Sequence, residues 1–163
     1  MRKLPYYKQF LYSIYSIKRL SAFRLLSIGN AIMYLFMLML LSFAPRLIGE
    51  WMGTYNGNEL ASLPLPLPIS FLFVYFFTTG YKFIEVSILA ALGLLFVSFM
   101  KKNLSYKQLW VISAYAITAP TIALSIFEGF GSIIPGGAAL LWLASATYLF
   151  LAVRAIPNPK QNK

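Results

Sequence analysis

Four apolar stretches, at about residues 25–44, 69–100, 109–127 and 136–153, are separated by segments that hold nearly all of the charge. A helix needs about 20 residues to cross a hydrocarbon layer about 30 Å thick, and each stretch is close to that or longer. The chain has 163 residues, 60% hydrophobic and 11% charged, whereas soluble domains average about 25% charged residues. One water-soluble core of this size could not cover so much apolar surface. The expected class is an all-α integral membrane protein with four transmembrane helices.

The charge orients it. Twelve of the fourteen basic residues fall in three segments: Arg2, Lys3, Lys8, Lys18, Arg19 and Arg24; then Lys101, Lys102 and Lys107; then Arg154, Lys160 and Lys163. Arg46 stands alone in the first connection, and Lys82 lies in or at the second apolar run. Cytoplasmic segments retain Lys and Arg, so both termini are expected in the cytoplasm. The expected location is the bacterial cytoplasmic membrane, with an anionic inner leaflet as partner and Lys8, Lys18, Arg19, Arg24, Lys101 and Lys102 as lipid contacts. The net charge of +10 flanks the apolar runs. Because it is not gathered on one face, nucleic acid is not an expected partner.

Three regions follow: a basic segment 1–24, a membrane domain 25–153 and a basic tail 154–163. In the first, Phe10, Ile14 and Ile17 recur at steps of four and three, which predicts an amphipathic helix on the inner leaflet. A plain topogenic flank is the alternative. Pro45, directly after Ser42-Phe43-Ala44, would obstruct signal cleavage, so the first span is expected to stay attached. Residues 45–68 form the outside loop, with turn chemistry at Asn56-Gly57-Asn58 and an extended Leu-Pro alternation to Pro68. The run 69–100 is too long for one upright span: it is either a tilted helix or a short piece broken at Gly80. Pro120 should kink the third span.

The chain lacks Cys, His and Asp, and its only acids are Glu50, Glu59, Glu85 and Glu128. Ser-His-Asp and Cys-His catalysis are therefore excluded, as are zinc sites built on His or Cys. No enzyme activity and no cofactor is expected.

Glu85 is the one acid within an apolar run. Lys82 precedes it by three residues, on the same helix face. A charge inside the membrane is a candidate for an ion or proton relay, or for contact with a partner helix. A local pair near the outer headgroups is the plainer reading, if the span begins at Tyr81. Small residues offer a second candidate. Ser113, Ala116, Ala119 and Ala123 beside Pro120, with Gly136, Gly137, Ala144 and Ala152 on the fourth span, would let helices approach closely within the bundle or between copies. The aromatic residues cluster near predicted interfaces, as membrane belts do.

Two stretches carry a family likeness. One runs Phe10-Leu11-Tyr12-Ser13-Ile14-Tyr15-Ser16, followed by Ala22-Phe23-Arg24, Gly29 and Tyr34. The other is Leu104-Ser105-Tyr106-Lys107-Gln108-Leu109-Trp110, then Tyr115-Ala116-Ile117-Thr118-Ala119-Pro120 and Ile156-Pro157. Together they resemble a bacterial membrane family of unknown function, domain-of-unknown-function family 1189, some of whose members are labelled maltodextrin-utilisation membrane proteins. The resemblance implies a basic start, one span, an outside region and three further spans. It supplies no catalytic residue, and the outside region here is much shorter than is usual in that family. The functional expectation is a non-enzymatic accessory, scaffold or regulatory protein with a membrane partner or a second copy. The alternative is a small oligomeric transporter or channel subunit that uses Glu85.

Overall fold

The computed structural model describes residues 5–54, 64–131 and 135–157. The Asn56-Gly57-Asn58 turn, Glu59, Arg2, Lys3, Lys160 and Lys163 lie outside the described residues. The described elements are helical: α1 (Tyr6–Tyr15), α2 (Ile17–Ala22), a 3-10 turn (Phe23–Leu25), α3 (Ile28–Trp51), α4 (Leu67–Phe99), α5 (Tyr106–Ala116), α6 (Thr118–Gly129) and α7 (Gly137–Ala155). Four spans are long and apolar enough to cross a membrane: α3, α4, the pair α5–α6, and α7. The all-α architecture with four spanning helices stands as expected.

Local chemistry sets the helix ends. The Ser27 side chain accepts from the Asn30 N–H and starts α3. Ser105 and Gln108 form a reciprocal capping box at the start of α5, which satisfies two donors that the first turn leaves free. α4 begins after Pro66, with Pro68 in its first turn, where a missing N–H costs no helix bond. Its far end is a Schellman turn: Lys101 N–H donates to Ser98 O at 3.1 Å and Lys102 N–H to Val97 O at 3.0 Å. Lys101 takes the left-handed position, with φ 52°.

Two boundaries differ from the sequence expectation, and of the two forms open to the second run the protein takes the continuous helix. The first span continues through Pro45 to Trp51; membrane helices tolerate an internal proline where neighbours satisfy the freed carbonyl. α4 is one helix of 33 residues, unbroken at Gly80, and about 50 Å long. The third span is divided at Ile117, three residues before Pro120. Pro120 has no N–H for the Ala116 carbonyl, and its ring crowds that carbonyl, so α5 ends there.

The third span is the most buried of the four. Its first half, α5, is enclosed by α1, α2, the 3-10 turn, α3, α4 and α7. Its second half, α6, runs beside and parallel to α3, with Tyr34 at Thr118 and Gly49 at Gly129. α1 buries Gln9 and Ser13 rather than Phe10 and Ile14, which are half-buried, while Tyr7, Leu11 and Tyr15 stay exposed. Its polar side chains turn toward the protein, where Tyr115 and Tyr34 offer them hydrogen-bond partners.

Candidate functional site

Two polar constellations lie either side of the break at Ile117. The first joins three segments distant in sequence. The Tyr34 hydroxyl, on α3, is 2.7 Å from Thr118 Oγ1, the first residue of α6. It is also 3.1 Å from Ser13 Oγ on α1. The Tyr115 hydroxyl, at the end of α5, donates to Gln9 Oε1 at 2.6 Å. The rings of Tyr34 and Phe23 pack on Tyr115 at 4.3 and 4.5 Å between centroids. These hydroxyls hold α1 and α3 against the place where the third span is interrupted.

The second constellation is Lys82 and Glu85. Lys82 Nζ donates to Glu85 Oε2 at 2.6 Å, and Glu85 is only 7% exposed. Because α4 is continuous from Leu67, Glu85 lies near the midpoint of the helix, about 27 Å along the axis from its N-terminal end. The helix itself does not begin at Tyr81, and the local Lys82–Glu85 pair is present. Glu85 shares a small closed space with Leu89, Ile117, Leu141, Trp142 and Ser145. Withdrawing two charges from water costs several kcal/mol per ion, which their attraction offsets only in close contact such as this.

The α3–α6 seam was not singled out from the sequence. α6 buries Thr118, Thr121, Ser125 and Gly129, a series at steps of three, four and four that the sequence displays. A β-carbon at Gly129 would overlap the Pro45 carbonyl, and one at Gly49 would overlap the Gly129 carbonyl. At the C-terminal end of α3 and α6 Arg46 Nη2 lies 2.6 Å from Glu128 Oε2, and Thr54 Oγ1 donates to Gly129 O at 2.9 Å. The lone basic residue of the first connection thus has a structural partner.

The predicted small residues divide. Ser113 and Ala116 are buried in the bundle, Ala119 is half-buried, and Ala123 is exposed. Ala123 lies with Pro120, Gly137 and Ala144 along an outer groove of about 190 Å³ between α6 and α7. Ala152 and Gly137 are buried, whereas Gly136 is an exposed left-handed cap.

The predicted lipid contacts divide too. Lys8, Lys18, Arg19 and Lys101 are exposed, and Arg24 is half-buried. The Arg19 guanidinium sits 3.8 Å over the Tyr12 ring. Lys102 turns back onto the protein instead. Its ammonium donates to the Val153 and Arg154 carbonyls at 2.7 Å each and to the Ile156 carbonyl. All three of its N–H donors are thereby used to cap α7, at the end where the helix dipole favours a cation. Burial, and then the neighbouring Arg24 charge, lower the Lys102 pKa.

A concavity of about 580 Å³ lies between α1 and α3. Tyr6, Tyr7, Phe10 and Leu11 face Met37, Leu40, Leu41 and Ala44 across it, and its lining is almost wholly apolar.

A family described as "Protein of unknown function (DUF1189)" matches residues 55–153, more than half of the chain. The match takes in the capping box at Ser105 and the break before Pro120, but not the Phe10–Tyr34 stretch or Ile156-Pro157. No curated protein and no solved structure matches the chain.

Proposed function

We propose that the chain, which belongs to this family of unknown function (DUF1189), works as a non-enzymatic accessory, scaffold or regulatory subunit of a bacterial cytoplasmic-membrane complex. The observation that carries this reading is where the polar groups go. Gln9, Ser13, Tyr34, Tyr115 and Thr118 join helix to helix. Arg46 and Glu128 close the outer seam, and Lys102 caps α7. The concavity between α1 and α3 is apolar and offers a hydrophilic solute little to hold. Both termini are assigned to the cytoplasm, because exposed Lys18, Arg19 and Lys101 would meet anionic lipid at about 1 kcal/mol each. A carbohydrate transporter is one candidate complex, through the label that some family members carry.

The test is purification from native membranes in mild detergent, after cross-linking from cysteines placed on the exposed faces of α3 and α4. A stoichiometric partner, cross-linked from one face only, is the expected result. Repeated recovery of the chain alone would contradict the proposal.

One observation favours a second reading, a small oligomeric transporter or channel subunit. Lys82 and Glu85 sit at mid-helix beside the interrupted span, and broken helices with buried charge form the ion sites of many transporters. Under that reading Glu85→Gln abolishes the cellular phenotype without loss of assembly; a normal phenotype would count against it.

A further inference from the structure

Ser145, on α7, shares the closed space with Glu85. It is 1% exposed, and its hydroxyl has no hydrogen-bond partner. Hydroxyls in membrane helices commonly return to a carbonyl one turn back, as Ser87, Ser125 and Thr147 do here. Ser145 does not. A buried hydroxyl left without a partner costs about 1–3 kcal/mol, and this one stands beside the only carboxylate in the middle of a described span.

We propose that Glu85 is a proton-binding site and that Ser145 receives its protonated form. In the proton-free state the Lys82 ammonium donates to Glu85 Oε2. A proton taken from water then bonds to a Glu85 oxygen and makes the carboxyl neutral. The ion pair is lost, and the new O–H donates to Ser145 Oγ. Lys82 keeps its three protons; it lies one turn nearer the outer end of α4, and its flexible stem lets the ammonium reach toward polar surroundings.

Other titratable groups on the packed elements are engaged elsewhere or lie away from this space. On α3, Tyr34 bonds to Thr118 and Arg46 to Glu128, and Glu50 is exposed near the outer end. On α5, Tyr115 bonds to Gln9 and Tyr106 to Ser87, and Lys107 is exposed. Tyr148 and Arg154 of α7 do not line the space. Proton exchange at this pair is independent of which reading of function holds.

Infrared difference spectroscopy of the full chain in lipid nanodiscs tests it. With no Asp and four Glu in the chain, the carboxyl region is nearly free of background. Acidification from about pH 8 to about pH 4 spans the ordinary glutamate range and the values that burial can produce. The expected result is a protonated-carboxyl band that Glu85→Gln removes, that Glu50→Gln leaves in place, and that Ser145→Ala shifts to higher frequency. A Glu85→Gln spectrum that keeps every acid-induced carbonyl band would overturn the proposal, as would a band that Ser145→Ala does not move. Should Glu85→Gln fail to fold, the single-atom change Ser145→Ala decides alone: a shifted band supports the exchange and an unmoved spectrum refutes it.

Discussion

Every residue of α5 from Leu109 to Ala116 is buried, whereas α6 buries only Thr118, Thr121, Ser125 and Gly129. The two helices are halves of one span, separated by Ile117. α5 is surrounded, so no face of it differs from another, and its packing is close on all sides. α6 has one main neighbour, α3. Toward α3 it presents small and polar residues, and outward it presents Ile126, Phe127 and Phe130. The difference shows how a membrane bundle is organised without a hydrophobic force between helices. Close backbone approach and hydrogen bonds decide the contact, and bulky apolar groups are left to the lipid.

The largest effects should come from adding bulk. Ala116→Leu in α5 and Gly129→Val in the α3–α6 seam should each destabilise the bundle by about 3 kcal/mol, the upper part of the usual range for overpacking. Unfolding in detergent titrated with dodecyl sulfate measures this. A small effect at Gly129 would mean that the α3–α6 approach is looser than described. Lys102→Met removes a charged cap from the C-terminal end of α7, and should cost about 2 kcal/mol by the same assay. Tyr34→Phe tests the junction between the halves: it strips partners from Ser13 and Thr118, and should cost about 1 kcal/mol. Lys101→Gly relieves a left-handed lysine and should stabilise by about 1 kcal/mol. The smallest effect is expected at Ala123, which faces the open groove: Ala123→Leu should change stability by less than about 0.5 kcal/mol. A cost there equal to that at Ala116 would erase the distinction between the halves.

The four spans were legible because apolar length is a strong signal and few soluble folds imitate it. Their ends were less so. Pro45 looks like a stop but is carried inside α3, and Gly80 looks like a break but is not one. Whether a proline or glycine ends a membrane helix depends on neighbours that the local sequence does not name. The Lys82–Glu85 pair was visible from spacing; its place at mid-helix was not, because that depended on where α4 begins. Small residues do mark close helix approach, but on α6 the Thr118–Gly129 series makes the seam and the outermost alanine, Ala123, does not. The face that α1 buries could not be read from its apolar stripe, since Gln9 and Ser13 turn inward only because Tyr115 and Tyr34 wait there. Nor does a dilysine reveal that one ammonium caps a helix about fifty residues away.

Cysteine scanning along α4 in native membranes puts the buried mid-helix pair and the four-span bundle at risk together, because the chain has no cysteine of its own. A membrane-impermeant maleimide should label a cysteine at Ile69 only from outside and one at Phe99 only from inside. Cysteines at Ile84, Glu85 and Val86 should resist labelling from both sides. Rapid labelling at Glu85 from the outer side would contradict a buried pair at mid-helix, and with it the arrangement of the whole bundle around the broken third span.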